Sequence, residues 1–127
     1  MYNKVIITSV IMLIVDYIFL STVSNHFKKQ IKMIQNKPLK MNYTYALLSY
    51  ITLIIGFNYF DNIFIKANLT QNERLTSISI LGWIIYFVYE FTNGAILQDW
   101  QLKSILLDGT WGGMLFYLTL YIYLKYF

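Results

Sequence analysis

Besides Asp61 in the second apolar stretch, which falls near the opposite membrane surface, three carboxylates lie within or beside long apolar stretches of this 127-residue chain. They are Asp16 in the first apolar stretch, Glu90 in the third and Asp108 in the fourth. A charged side chain at bilayer depth costs about 2.5–3.5 kcal/mol on insertion scales, so such groups normally face a protein interior and have partners. A carboxylate in that setting can exchange a proton, bind a lipid headgroup, or hold helices together through hydrogen bonds.

Other reactive side chains are scarce. The chain has no cysteine, which excludes disulfides, thiolate metal sites and cysteine nucleophiles. Its single histidine, His26, cannot build a zinc site alone. Zinc-protease, phosphate-loop, serine-hydrolase and dinucleotide-binding motifs are also missing from the sequence. We therefore predict no metal and no cofactor, assign no catalytic residue, and leave open whether the protein is an enzyme.

The composition is typical of a membrane protein. Hydrophobic residues make up 57% of the chain, charged residues only 13%, and the mean hydropathy is +0.51. Soluble domains carry about 25% charged residues. A water-soluble core of this size cannot bury so much apolar surface. A single integral membrane domain over residues 1–127 accounts for the length, because four spans need about 20 residues each.

The net charge of +4 would suggest nucleic-acid binding in a soluble protein. Five of the ten Lys and Arg residues, however, lie between Lys28 and Lys40, directly after an apolar span. Charge in that position indicates topology and contact with lipid headgroups. The predicted partners are membrane lipids, with a homo-oligomer or a larger membrane complex also open, and no nucleic acid.

The hydrophobic pattern predicts an all-α protein, a four-transmembrane-helix bundle with spans at about 4–23, 42–65, 75–93 and 104–125. Residues 24–36, between the first two spans, place apolar residues at helical spacing against lysine and glutamine. They predict an amphipathic interfacial helix, either separate from span one or continuous with it.

Two local signals predict where helices end and where they pack closely. Pro38 ends the interfacial helix, because proline lacks an amide donor. Asn93-Gly94 predicts the end of span three, with glycine in the left-handed conformation. Gly109 and Gly113 form a G-x-x-x-G motif, which predicts that a neighbouring helix approaches span four closely.

The three carboxylates are predicted to meet near one membrane surface, because successive spans run in opposite directions. At the helical rise, Asp16 lies about 10 Å below that surface, and Glu90 and Asp108 about 5 Å below it. The candidate polar pocket comprises Asp16, Glu90, Asn93, Asp108 and Trp111. The candidate headgroup contacts are Lys28, Lys29, Lys32 and Trp100.

The lysine bias predicts the orientation. It places the lysine-rich loop after span one in the cytoplasm and both termini on the non-cytoplasmic side.

Four short motifs resemble a known family. They are Y-E-F-T-N-G-A at 89–95, W-Q at 100–101, D-G-T-W-G at 108–112 and D-Y-I-F-L at 16–20. The chain resembles domain-of-unknown-function family 2177, an uncharacterised family of small four-span predicted membrane proteins. Its signature reads Y-D-L-T-N-x-A, W-P and D-x-x-W-G, after an earlier D-x-x-W-L. The resemblance implies the four-span architecture and the importance of the carboxylate positions, but it implies no established activity.

The chain departs from that signature at three positions. Glu90 replaces aspartate, Gln101 replaces proline, and Phe19 replaces tryptophan. Glutamate keeps the charge of aspartate but lengthens the side chain, which would alter the geometry of any metal or proton-transfer site at position 90.

Three functions fit the sequence. The first is binding of a lipid or small molecule at intramembrane carboxylates in the cytoplasmic leaflet, by an enzyme or an accessory subunit. The second is a structural role in a membrane assembly or a virion membrane. The third is proton- or cation-coupled transport, for which four spans would have to oligomerise to form a shared path.

Overall fold

The computed structural model describes residues 2–127 and contains four α-helices in that range, with no strand. The helices are α1 (Tyr2–Gln35), α2 (Tyr43–Lys66), α3 (Gln71–Ile96) and α4 (Leu102–Tyr126). Each is long and apolar enough to cross a membrane, with a mean hydropathy of 1.3 to 2.2 over its most apolar window. The predicted all-α architecture with four candidate spans is confirmed.

The predicted interfacial helix is the C-terminal part of α1 rather than a separate element. No glycine or proline interrupts α1, so its hydrogen-bond ladder continues over all 34 residues. A helix of that length is about 50 Å long, which exceeds the hydrocarbon thickness of about 30 Å. The chain then leaves the helix at Asn36, which adopts a left-handed φ of 57°, shortly before Pro38.

The third helix continues past its predicted end at Asn93-Gly94. It reaches Ile96, and the left-handed residue is Asp99, with φ 65°, in the turn to α4. The Asn93 amide donates to Glu90 one helical turn earlier instead of capping the helix. The Leu97 N–H donates to the Asn93 carbonyl, so the helical hydrogen-bond pattern continues past position 93.

Helices α3 and α4 form the most extensive pair in the bundle. Three aromatic side chains of α3 lie against three glycines of α4: Trp83 on Gly113, Tyr86 on Gly112 and Phe87 on Gly109. The two backbones also meet directly at Gly82 and Gly112, where a Cβ atom on either glycine would collide with the other's carbonyl oxygen. The absence of side chains on these glycines is what permits this approach.

A buried apolar layer fills the middle of the bundle. Its members come from all four helices: Met12, Phe57, Ile78, Leu115, Phe116 and Leu120. On α1 the side chains of Thr8, Met12 and Asp16 follow at intervals of one turn and are all buried. The layer therefore separates a polar cluster at one end of the bundle from a second polar cluster at the other end.

The cluster around Asp61 is an ion-pair network. The Asp61 side chain is fully buried, and its carboxylate lies 2.6 Å from Lys4 Nζ. Arg74 donates to both carboxylate oxygens, from Nε at 3.0 Å and from Nη2 at 2.8 Å. One carboxylate thus ties α1 and α3 to α2, and two cations compensate its charge.

We expect Gly82→Ala to destabilise the protein by about 1–3 kcal/mol, the usual cost of overpacking. The added methyl would lie 2.9 Å from both the Gly112 carbonyl carbon and Phe116 Cγ, and backbone atoms cannot rotate away. Unfolding in detergent measures the change. Gly56→Ala is the matched control, because nothing lies within 4 Å of a Cβ atom there. Equal stability of the two variants would contradict the close α3–α4 contact.

Asp61→Asn should destabilise the protein by about 3–5 kcal/mol, because it leaves two partly buried cations without a counter-charge. Glu73→Gln, at the exposed start of α3, is the control for a carboxylate-to-amide change at the same end of the bundle. The same unfolding assay applies, and a loss below 1 kcal/mol for Asp61→Asn would show that the network is dispensable.

Candidate functional site

The second polar cluster lies at the lysine-rich end of the bundle, which holds the end of α1, the α3–α4 turn and the start of α4. Asp16 of α1 is 5% exposed there and accepts two hydrogen bonds. Tyr50 of α2 donates its hydroxyl to one carboxylate oxygen, and Trp111 of α4 donates its indole N–H to the other at 2.8 Å. The Trp111 ring also stacks on Phe19, with 4.3 Å between ring centroids. Asp16 therefore joins three helices through neutral donors.

Glu90 of α3 is the most deeply buried carboxylate of this cluster, at 1% exposure. Trp100 Nε1 donates to one carboxylate oxygen at 3.2 Å, and Asn93 Nδ2 donates to the other at 3.4 Å. Trp100 lies in the turn after α3, so the turn folds back over the end of its own helix. Both hydrogen bonds are long and come from neutral donors, so the Glu90 carboxylate can accept further hydrogen bonds.

Asp108 of α4 is half-buried, and its carboxyl group lies close to the Glu90 carboxyl group. A hydrogen bond between two carboxyl groups requires one proton on the pair. Within residues 2–127, no amide, amine or hydroxyl group donates a hydrogen bond to Asp108. Asp108 is thus the least satisfied carboxyl group of the cluster.

Asp108 also lines a cavity of about 340 Å³ between α2 and α3. The other lining residues are Ser49 and Leu53 of α2, and Ile85, Tyr86 and Tyr89 of α3. Helix α2 packs only lightly on α3 compared with the α3–α4 pair, and the cavity occupies the resulting gap. The Asp108 carboxyl group therefore borders a space that combines apolar walls with tyrosine and serine hydroxyls.

The family model described as a predicted membrane protein, DUF2177, matches residues 1–123. The chain belongs to this family. The match confirms the resemblance and supports a multi-pass integral membrane protein. Searches of the curated proteins and of the solved structures give no match.

In this DUF2177 protein the five predicted pocket residues lie at the same end of the bundle, in two adjoining groups. One group contains Asp16 and Trp111, and the other contains Glu90, Asn93 and Asp108. The two groups adjoin on α4, because Asp108 and Trp111 lie about one helical turn apart.

The predicted headgroup contacts fall into two environments. Lys28, Lys29 and Lys32 are exposed on the last turns of α1, where they line a small pocket of about 230 Å³ with Pro38 and Leu39. Trp100 is half-buried instead, and its indole N–H is used by Glu90.

The carboxylates of this cluster have no salt bridge to a lysine or arginine in the described part of the chain, whereas Asp61 has two. Residues 2–127 also contain no group of three or more His, Cys, Asp or Glu side chains that could hold a metal ion. Within the described residues, Asp16 and Glu90 are therefore bound by neutral hydrogen-bond donors rather than by cationic side chains.

Sequence reasoning did not assign Tyr50 and Gln30 to the site. Tyr50 precedes Asp61 by eleven residues, about three helical turns, so both lie on one face of α2. That spacing is the feature of the sequence that could have indicated Tyr50 as an inward-facing residue. Gln30 is 2% exposed, and its Oε1 accepts from the Gln101 backbone N–H at 2.8 Å. Nothing in the sequence distinguishes it from Gln35, which is exposed. Nearby, His26 Nε2 and Ser104 Oγ lie 2.8 Å apart and link α1 to α4.

Tyr50→Phe and Trp111→Phe should each destabilise the protein by about 1–3 kcal/mol, because each removes a donor from a buried carboxylate. The double variant should differ from the sum of the singles, since both donors serve Asp16. Unfolding in detergent measures all three, with Tyr59→Phe as the control at a tyrosine that is 61% exposed. If the two losses of stability add, and neither exceeds the loss in Tyr59→Phe, then the stability of the protein does not depend on these hydrogen bonds to Asp16.

Proposed function

We propose that the protein binds a membrane lipid or a small amphiphile whose polar end donates hydrogen bonds to the Asp108–Glu90 carboxyl pair. The single observation that carries this proposal is the position of Asp108. Its carboxyl group lines the cavity between α2 and α3, yet no amide, amine or hydroxyl group within residues 2–127 donates to it. Carboxyl groups at membrane depth normally have partners, so a ligand that carries an amine or a hydroxyl suits this place.

The cavity walls support an amphipathic ligand. Leu53 and Ile85 supply apolar surface, while Ser49, Tyr86 and Tyr89 can exchange hydrogen bonds with a polar group near Asp108. Small-molecule sites have this composition, with mostly apolar walls and a few convergent polar groups. The volume of about 340 Å³ also falls at the small end of the range for such sites.

The route into the cavity is through the bilayer side. The gap lies between α2 and α3, two spans that contact each other only lightly. Tyr89 at its edge is 59% exposed. A ligand dissolved in the membrane can therefore reach Asp108 laterally, without crossing the headgroup surface.

Transport by a single chain is less well supported. A proton or cation passing from the Asp108 cluster to the Asp61 network would have to cross the apolar layer that contains Met12, Phe57 and Phe116. The buried polar side chains beside that layer are uncharged: Asn58 donates to Thr8 and to a helix carbonyl, and Thr119 donates to a helix carbonyl. A conducting path would therefore have to be built between subunits.

Native mass spectrometry of the detergent-solubilised protein tests the proposal, with three lipids of identical acyl chains as probes. Phosphatidylethanolamine and diacylglycerol carry N–H and O–H donors, whereas phosphatidylcholine carries none. We expect at least one donor-bearing lipid to bind about tenfold more tightly than phosphatidylcholine, which corresponds to about 1.4 kcal/mol. Asp108→Asn should abolish that preference, because it removes the carboxyl pair.

Asp99→Asn is the matched control, because Asp99 is exposed in the α3–α4 turn and does not line the cavity. An equal affinity for all three lipids, or an unchanged preference in Asp108→Asn, would reject lipid binding at this pair. In that case a structural role within a membrane assembly becomes the better explanation of the cluster.

A further inference from the structure

A second groove, the α1–α4 groove, runs along α4 on the side where Phe19 of α1 lies. It has a volume of about 680 Å³, and it does not include Asp108. Its lining residues are Phe19, Lys103, Leu106, Leu107, Thr110, Trp111 and Met114. Apart from Lys103 and the Thr110 hydroxyl, this lining is almost entirely apolar, and Lys103 lies at one end of it.

The length of this α1–α4 groove matches one membrane leaflet. Lys103 and Met114 are eleven residues apart on α4, which is about 16 Å along the helix axis. The hydrocarbon core of a bilayer is about 30 Å thick, so a single leaflet contributes about half of that. The groove thus extends from the start of α4, where a headgroup would lie, to the middle of the membrane.

The headgroup end of the groove is the N-terminus of α4, a helix of 25 residues. Gln101, the residue that precedes the helix, makes no side-chain hydrogen bond to it. The Ser104 and Ile105 N–H groups donate to the Gln101 carbonyl, so the free backbone donors at this helix end are the N–H groups of Leu102 and Lys103. The helix dipole adds partial positive charge at that end. Together these features favour an anion. The Lys103 side chain adds a full positive charge at the same place.

Gln30 provides an independent observation at this helix end. Its Oε1 accepts from the Gln101 N–H at 2.8 Å, which places its amide group at the start of α4 and fixes which amide atom is the oxygen. The Gln30 side chain is buried, at 2% exposure, and its Nε2 has no hydrogen-bond partner in the described part of the chain. Buried N–H donors almost always have a hydrogen-bond acceptor, so we expect an acceptor to bind this amide nitrogen.

Gln30 and the groove lie on the same face of α1. Phe19 and Gln30 are eleven residues apart, which is about three helical turns. One face of α1 therefore carries the aromatic wall of the α1–α4 groove and, about three turns further on, the Gln30 amide group that contacts the start of α4.

We propose that an anionic phospholipid binds between α1 and α4, with its phosphate at the N-terminus of α4 and one acyl chain in the α1–α4 groove. Gln30 Nε2, the first backbone N–H groups of α4 and Lys103 supply the donors for the phosphate. The exposed lysines Lys28 and Lys29 add positive charge on the last turns of α1.

Charge explains why the headgroup is anionic. The exposed lysines at this end of the bundle outnumber its exposed carboxylate, Asp99. A zwitterionic headgroup would bring its own cation into that field, whereas phosphatidylglycerol does not. The donors for the phosphate adjoin a groove that is as long as one leaflet. This arrangement favours a phospholipid, which has an acyl chain, over free phosphate.

The experiment uses the full chain in detergent and native mass spectrometry with phosphatidylglycerol and phosphatidylcholine of identical acyl chains. We expect phosphatidylglycerol to bind about tenfold more tightly. Gln30→Glu keeps the acceptor for the Gln101 N–H but removes the amide donors, and Lys103→Gln removes the charge. Each variant should lower the affinity for phosphatidylglycerol about five- to tenfold and leave phosphatidylcholine binding unchanged.

Two further variants separate the headgroup from the chain. Thr110→Trp, which fills the α1–α4 groove, should weaken both lipids alike. Lys125→Gln, at the other end of α4, should weaken neither and serves as the charge control. Because Lys103 is exposed, its variant should fold even if Gln30→Glu does not.

Equal binding of the two lipids to the unaltered protein would overturn the proposal, as would an undiminished preference in Lys103→Gln. Displacement of phosphatidylglycerol by an equal concentration of inorganic phosphate would assign the donors to free phosphate instead. Phosphatidylglycerol also carries hydroxyl donors, which could bind at Asp108, so the comparison is repeated in Asp108→Asn. A preference for phosphatidylglycerol that persists in Asp108→Asn supports the α1–α4 groove, and a preference that is lost there overturns the proposal for this groove.

Discussion

The contact between α3 and α4 at Gly82 and Gly112 is the constraint on which the rest of the site depends. Two helices can approach to backbone contact only where neither carries a Cβ atom. Gly112 lies one turn after Asp108, and Gly82 lies about two turns before Glu90. The contact therefore holds the two carboxyl-bearing turns against each other. A wider α3–α4 spacing would separate Glu90 from Asp108 and leave two carboxylates to be accommodated independently.

The buried carboxylates are compensated in different ways at the two ends of the bundle. Asp61 is fully buried, but Lys4 and Arg74 neutralise it and use both of its oxygens, so little capacity remains for a ligand. At the lysine-rich end the carboxyl groups have neutral donors or each other. Such an arrangement is stable only with protons or additional donors present. The asymmetry supports a structural role for the first end and a binding role for the second.

Helix α1 connects the membrane interior to the headgroup region. Within one unbroken helix, Asp16 contacts Trp111, His26 contacts Ser104, and Gln30 contacts the Gln101 backbone. These contacts tie α1 to the beginning of α4 over about four helical turns. Trp111 also lines the α1–α4 groove, so this one side chain contacts Asp16 and would also contact a ligand in the groove.

The sequence by itself determined the class, the number of helices and the end of the bundle where the carboxylates meet. Those properties follow from apolar length, helical rise and the alternating direction of spans, all of which are local or additive along the chain. Tertiary structure alone decided the partners: that Tyr50 serves Asp16, that Trp100 turns back to Glu90, and that Asp108 faces a cavity. These outcomes depend on how the helices rotate and how closely they approach one another, which no periodicity along one helix encodes; the glycine contacts set that spacing for α3 and α4.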